Sequence, residues 1–379
     1  MPEGEAPSRV LLVLGTSAGG VGRHVRMLAG GLVREGLQVV VAGPGSTEEA
    51  FGFSRIARFA EVPISDRPRP GRDLRAVLRL RALAAGADVV HAHGLRAGAL
   101  AALALAGRRT PLVVTLHNAL TAGGMIGAIW GVLERVTAAR ADAVLVVAPD
   151  LGDRMTARGA RNVTPAVVPA PLTVPRRPPA EVRAELLAAA PGGEGPAAGS
   201  TAEERPILLT VARLAQQKGL DTLLTAAAGP YEGVRPLFVV AGEGPLRPGL
   251  AARIVAEGLP VVLLGDRPDV ADLLRAARAL VVASLWEGLP LSVHEALRAG
   301  TPVIATAVGG LPGMVGDAGL LVPPGDPAAL RREIARLLAD PVLGRRLAAA
   351  ASARELPDEK DAVQAVRAAY EQARGSRGR

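Results

Sequence analysis

The sequence predicts an α/β protein built from two successive strand–helix units, and three observations carry that expectation. Short apolar runs recur along the chain, each closing on a glycine or polar turn and followed by helical spacing, as buried parallel strands with crossover helices do. The alternation stops at a proline-rich stretch, Pro165 to Pro179, and restarts at Ile207. The length, 379 residues, suits two domains better than one. Residues 1–170 are therefore expected to form a first domain and 171–205 a linker with a low-complexity insertion. Residues 206–355 are expected to form a second domain, and 356–379 a closing helix that packs back on the first.

Composition narrows the function classes. No run reaches the roughly 18 uncharged apolar residues that a membrane span needs. The start, Met-Pro-Glu-Gly-Glu, is acidic and unlike a signal peptide, so a cytoplasmic protein is expected. With no cysteine, disulfides and cysteine catalysis are excluded. The net charge of +8 is uneven: residues 1–170 hold 20 arginines against 13 carboxylates, and the remainder 24 cations against 23. A basic first half suits anionic partners, phosphates or an anionic lipid surface, although genomic bias toward Ala, Arg, Gly and Pro explains it equally well. Nucleic acid is set aside, because aromatics make up 2% and no nucleic-acid motif is present.

In chain order, Arg9-Val10-Leu11-Leu12-Val13-Leu14 reads as a buried strand, followed by Gly15, a second glycine cluster at Gly19, Gly20 and Gly22, and a helix carrying Val25, Leu28 and Leu32. Such a loop lets backbone N–H groups approach a phosphate at a helix start, or is simply a tight turn. Leu37 to Gly43 is the second strand. Residues 66–85 set Arg69, Arg72, Arg75, Arg79 and Arg81 beside Leu74, Val77, Leu78 and Leu80, a basic amphipathic helix. It reads as a solvated surface helix or as a weak electrostatic contact with the inner membrane face. Two further strands end on histidines: Ala87 to Gly94, with His91 and His93, and Pro111 to Asn118, with His117. No carboxylate or fourth ligand has matching spacing, so a metal is not expected; His117 is expected to meet a substrate hydroxyl and His91 or His93 to be structural. A strand at 141–147 completes the first half.

The second half opens with the strand Ile207 to Val211, then Arg213 and Lys218 before a helix. A forked guanidinium and a mobile ammonium in one loop suit a phosphate. Lys218 is one of two lysines in the chain, the other being Lys360. Leu237 to Ala241 runs into the loop Gly242-Glu243-Gly244-Pro245, where Glu243 either shapes the loop or contacts ligand. After a strand at Val261 to Gly265, the run Ala279 to Ser284 leads into Glu287-Gly288-Leu289-Pro290-Leu291 and a helix bearing Glu295. The pattern Ser292-Val293-His294-Glu295 is itself a capping box, so Glu295 has a second reading as a helix cap. Thr301 to Thr306 forms a strand before Gly309-Gly310, and Asp361 to Arg374 a last helix.

Taken in this order, Val211-Ala212-Arg213-Leu214 through Lys218-Gly219, the Gly242–Pro245 loop, Glu287 to Leu297 with seven residues between its two glutamates, Ala299 to Ala305, and Gly309-Gly310 resemble the retaining glycosyltransferases of family 4. The loop Gly19-Gly20-Val21-Gly22-Arg23-His24-Val25 looks like that of bacterial members acting on inositol or phosphatidylinositol acceptors. The resemblance implies a GT-B fold, two Rossmann-like domains with parallel sheets facing an interdomain cleft. It implies transfer from a nucleotide-diphosphate sugar, UDP preferred over GDP, with no cofactor and no metal. Arg213 and Lys218 would hold the diphosphate and neutralise the leaving group. Glu287, with the segment Gly288, Leu289, Pro290 and Leu291 and the N–H groups of all but the proline, would meet the sugar; Glu295 would accept from the ribose hydroxyls. Gly20 would approach the phosphate, His117 the sugar, and Gly19, Arg23, His24, His93 and Glu243 would line the acceptor side or the cleft. Two departures concern the acceptor and domain closure: Val168-Pro169-Ala170-Pro171 stands where many relatives carry Asn-Gly-Val-Asp, and a serine usual near Ala148 is missing. The other readings on such a scaffold are an epimerase or phosphorylase, and a nucleotide-sugar binding protein without activity.

Overall fold

The structure is a computed structural model and describes residues 8–17, 19–118, 124–191 and 205–377. It divides into two units, residues 1–169 with 357–379, and residues 170–356. In the first unit seven strands form one sheet: β1 (Arg9–Leu14), β2 (Gln38–Gly43), β3 (Arg58–Glu61), β4 (Val89–His93), β5 (Leu112–Leu116), β6 (Ala143–Val146) and β7 (Val163–Pro165). Every pairing is parallel, in the order β3-β2-β1-β4-β5-β6-β7. The second sheet holds β8 (Ile207–Val211), β9 (Leu237–Ala241), β10 (Val261–Gly265), β11 (Ala279–Val282), β12 (Val303–Thr306) and β13 (Gly319–Val322), in the order β10-β9-β8-β11-β12-β13.

The central strands are mostly apolar because both faces are covered. In β9, Phe238 and Val240 join one core cluster and Leu237, Val239 and Ala241 the other, the two-residue alternation of a pleated strand. The strands not expected from the sequence are β3, β7 and β13, all at sheet edges with partly exposed residues; β3 and β7 carry no unbroken apolar run, and β13 offers only the short one Leu320-Leu321-Val322. In each sheet the chain reverses its direction of build beside the first strand, between β1 and β4 and between β8 and β11. Loops at the carboxyl ends of such strand pairs open on the crevice where α/β sheets bind ligands.

Residues 171–205, treated above as linker and insertion, carry a helix, Pro179–Ala188, that belongs to the second unit. Val182 and Leu186, one turn apart, are fully buried in that unit's core, a burial worth roughly 1.5–3 kcal/mol each. Asp272 accepts from the N–H groups of Arg176 (2.6 Å) and Arg177 (3.0 Å) and fastens the approach to this helix. Most of the insertion, 192–204, lies outside the described residues.

The last helix, Glu359–Gly375, belongs to the first unit. Asp358 and Asp361 form a reciprocal capping box at its start. Val363 packs over Gly31, where a Cβ would lie 2.4 Å from a valine methyl, and Glu359 and Arg367 pair with Arg34 and Glu35. Tyr370 is fully buried among the strands.

Candidate functional site

In the second unit the switch-point loops are the one after β8, with Arg213 and Lys218, and the one after β11, with Glu287. The fold brings Lys218 and Glu287 together: Nζ lies 2.5 Å from Oε1, which also accepts from the Ser284 hydroxyl at 2.7 Å. Glu287 is 7% exposed and the Lys218 side chain 22%, so the pair is largely withdrawn from water. Oε2 accepts from none of the described residues and remains for a ligand hydroxyl. The Arg213 guanidinium is exposed and has no partner among the described residues.

Backbone contacts hold this loop from both sides. On the β8 side Gln217 donates from Nε2 to the Trp286 carbonyl (2.9 Å) and accepts from the Leu285 N–H (2.8 Å). Gly219, at φ 60°, passes so close that a Cβ would lie 2.0 Å from the Ala283 carbonyl. On the β12 side the Gly310 N–H donates to the Glu287 carbonyl (3.1 Å), and at Gly309, φ 53°, a Cβ would lie 1.8 Å from that same oxygen. Thr306 donates to the Ser284 carbonyl at 2.6 Å. The glycines of the Gly242–Pro245 loop do the same for Arg213: a Cβ at Gly242 or Gly244 would strike the carbonyl of Ala212 or Leu214. Glu243 itself is exposed and pairs with Arg247 at 3.0 Å, which fits the loop-shaping reading.

The helix after Glu287 begins at Leu291, with Pro290 as its N-cap and no side-chain cap. Ser292 thus lies inside the helix, and the capping-box reading of Ser292 and Glu295 fails: proline fixes the start two residues earlier. Glu295 is half-buried on this helix. Gly288, Leu289 and Pro290 lead into it and Leu291 is its first residue; a helix start has N–H groups without intrahelical partners, which with the helix dipole favour a polar or anionic atom.

In the first unit the corresponding loops carry histidines. Gly19 is the N-cap of the helix Gly20–Arg34, with open space around it, whereas Gly22 packs against the Phe51 ring. The Gly22 N–H bonds the Ser17 hydroxyl at 3.1 Å. Arg23 is exposed; His24 is 5% exposed and turns inward. There it meets His93, at the end of β4, and His117, just past β5, with ring centroids 5.9 and 5.5 Å away. His93 Nδ1 lies 3.2 Å from His117 Nε2. His91 is held by the Tyr370 hydroxyl at Nδ1 (2.9 Å) and the Thr115 hydroxyl at Nε2 (2.7 Å), the structural role expected of one of this pair. Four of the chain's five histidines therefore share one cluster. Burial lowers all of them, His117 to about 4, His91 to about 3, His24 and His93 well below the ordinary value. They are neutral at pH 7. Among the described residues no group of three or more His, Cys, Asp or Glu is arranged to hold a metal ion.

Sequence reasoning missed Ser284, Gln217 and Tyr370. Ser284 stands at the end of an apolar strand, three residues before Glu287, the only signal it offers. Gln217 and Tyr370 gain their roles from partners 69 and 279 positions away and have none.

Comparison with known proteins adds to this geometry. A family model described as Glycosyltransferase Family 4 matches residues 18–172, and one described as Glycosyl transferases group 1 matches residues 205–340. The chain is 33% identical over 296 residues to a D-inositol 3-phosphate glycosyltransferase of Streptomyces bingchenggensis, covering 70% of this chain and 62% of the relative. It is 32% identical over 171 residues to an alpha-D-kanosaminyltransferase of Streptomyces kanamyceticus, covering 43% of this chain and 44% of the relative. The matched part thus spans less than two thirds of either relative. Among solved structures, HepE of Anabaena in complex with UDP and glucose superposes with a TM-score of 0.75 at 20% identity, over 94% of this chain and 97% of that one. Sucrose-phosphate synthase of Thermosynechococcus elongatus gives 0.73 at 24% identity, over 97% and 98%. Each unit has the architecture of a GT-B domain.

Proposed function

We propose that the chain, which the Glycosyltransferase Family 4 and Glycosyl transferases group 1 models match over residues 18–172 and 205–340, moves a sugar, with retained anomeric configuration, from a nucleotide-diphosphate sugar to a small cyclic polyol. The observation that carries this reading is the buried Lys218–Glu287 pair at 2.5 Å, beside the unpartnered Arg213 and a helix start. Breaking a sugar–phosphate bond puts negative charge on the departing diphosphate and positive character on the sugar. Fixed cations and helix-start N–H groups stabilise the first without reorganising at the moment of reaction. Arg213 and Lys218 take that role. Glu287 holds Lys218 through one oxygen and meets sugar hydroxyls through the other. Glu295 takes the ribose hydroxyls, Gly20 approaches the phosphate, and His117 meets the sugar. The chemistry needs no cofactor.

The donor nucleotide is UDP in this reading, which the UDP and UDP-glucose complexes of HepE favour. The acceptor class is drawn from relatives named for inositol phosphate and 2-deoxystreptamine, both polyhydroxylated six-membered carbocycles. A panel of UDP, GDP and ADP sugars, scored for thermal stabilisation and for nucleotide release with cyclitol acceptors, tests both halves. A UDP sugar is expected to raise Tm and to turn over; tight binding with background release under every acceptor would replace the transferase by a binding protein.

A second contact fits the helix Pro70–Leu83, where Leu74 and Leu78 are 61% and 59% exposed between arginines. No helix among the described residues is long and apolar enough to cross a membrane. Weak docking on anionic lipid is expected, as vesicle retention that vanishes at high salt; retention independent of salt would contradict it.

A further inference from the structure

His93 and His117 are close enough to share one hydrogen bond, and the direction of that bond decides what His117 can do. Both rings are neutral, so a single proton lies on the 3.2 Å contact between His93 Nδ1 and His117 Nε2. If His117 donated it, His93 would have to carry its own proton on Nε2. That atom is fully buried and without a partner among the described residues, so an N–H would be stranded. If His93 donates from Nδ1, its Nε2 is a bare lone pair, and His117 carries its proton on Nδ1. A stranded N–H is the rarer and costlier of the two in protein interiors.

We infer that His93 is a positioning residue that donates from Nδ1 to His117 Nε2 and thereby fixes His117 as a hydrogen-bond donor at Nδ1.

The neighbours fit this assignment. His91 stands 4.2 Å from the His93 ring, centroid to centroid, and cannot take the proton, because hydroxyls already occupy both of its nitrogens. His24 presents its ring edge-on to both and makes no hydrogen bond to either. His117 Nδ1 has no partner among the described residues and is the ring atom left for a ligand. The consequence is chemical. With Nε2 filled and Nδ1 protonated, neutral His117 has no lone pair to offer, so it cannot serve as the base that deprotonates an acceptor hydroxyl. It donates to an oxygen. If the transferase reading above holds, that oxygen belongs to the donor sugar.

The test is spectroscopic first. Long-range proton–nitrogen correlations on full-length protein with isotope-labelled histidine separate a protonated ring nitrogen from a bare one. His117 is expected to show the proton on Nδ1. In His93→Ala it is expected to revert to the Nε2–H form that a free side chain prefers, while His93→Asn, which keeps an N–H donor near the same place, retains the Nδ1–H form. Turnover of the sugar donor should fall about tenfold in His93→Ala and recover in His93→Asn. A proton on Nε2 of His117 in the unaltered protein overturns the inference without any variant. An unchanged His117 tautomer in folded His93→Ala does so as well. If the tautomer pattern appears but no sugar donor is turned over, the positioning stands and the transferase reading falls.

Discussion

At the switch point of the second sheet the loops carry opposite charges that meet, Lys218 and Glu287. At the switch point of the first sheet the corresponding places, in the helix after β1 and at the end of β4, carry the uncharged imidazoles of His24 and His93, packed edge-on, with His117 just past the next strand beside them. The scaffold is common to both: parallel strands, glycine turns, helix starts. On the proposed function, the charges would serve to stabilise a departing diphosphate, and Lys218 and Glu287 tolerate partial burial because they are paired. On the same reading, the neutral, closely packed rings would orient a hydroxyl without attracting ions. The second unit also fixes its charged loop by backbone contact, with Gly219 and Gly309 each passing within a missing Cβ of a carbonyl oxygen. The first unit fixes its rings by side-chain hydrogen bonds drawn from distant parts of the chain.

The strongest way to break this contrast is Lys218→Ala. Removing a preorganised cation from the leaving-group side is expected to lower kcat/KM by about 10²–10³-fold. It also strands the Glu287 carboxylate, at a stability cost of about 1–3 kcal/mol. Lys218→Arg should restore stability more fully than turnover, because a planar guanidinium replaces a compact ammonium. Steady-state kinetics with denaturant unfolding measures both; unchanged turnover in folded Lys218→Ala would remove the charge assignment.

Gly309→Ala follows. Its Cβ would sit 1.8 Å from the Glu287 carbonyl at a backbone φ of 53°, so the loop must move or strain. A loss of about 2–4 kcal/mol is expected in chemical denaturation, with lower activity from a displaced Glu287. Tolerance of alanine there would mean that the loop is not braced from the β12 side.

The histidines make the first unit sensitive to acid. His91 and His117 have folded pKa values lowered to about 3 and about 4, below the ordinary histidine value. The unfolded chain therefore binds protons that the folded one refuses as pH falls below about 6.5. Stability is complete above that pH and declines beneath it, by about 1.4 kcal/mol per pH unit for each such group. Denaturant titrations of the protein between pH 7 and 5 should show that slope, and His117→Asn should reduce it by one group's share. An unaltered slope would mean that His117 is solvated.

The legibility of the two regions differs for the same reason. The donor-side loops are contiguous: Arg213 with Lys218 and Glu287 with the helix start are visible as motifs, because backbone turns place them. The strands of both sheets are visible as apolar runs, except at three sheet edges: β3 and β7 leave no such run, and that of β13 is only three residues, Leu320 to Val322. The helix Pro179–Ala188 was hidden by the prolines before it, although Val182 and Leu186 already stood one turn apart. The histidine cluster was visible only as separate strand ends. Its coupling to His24 and Tyr370 depends on strand order and on where the last helix packs, and neither is local information.

The smallest expected effect on folding is also the cleanest probe of the first unit. Gly19 has nothing within 4 Å of its absent Cβ and a φ of −146°, away from the left-handed region that favours glycine. Gly19→Ala should therefore leave stability within about 0.5 kcal/mol of the original. If the glycine loop is there so that backbone can approach a phosphate, the added methyl lies where a ligand would come, and the donor KM should rise several-fold with the fold intact. If the loop is only a tight turn, both quantities stay put, and the ligand-holding role of the first unit falls back on its histidines alone. The contrast with Gly309, where the same methyl meets protein rather than open space, makes the pair informative: one glycine is held by what the chain already fills, the other by what the chain leaves empty.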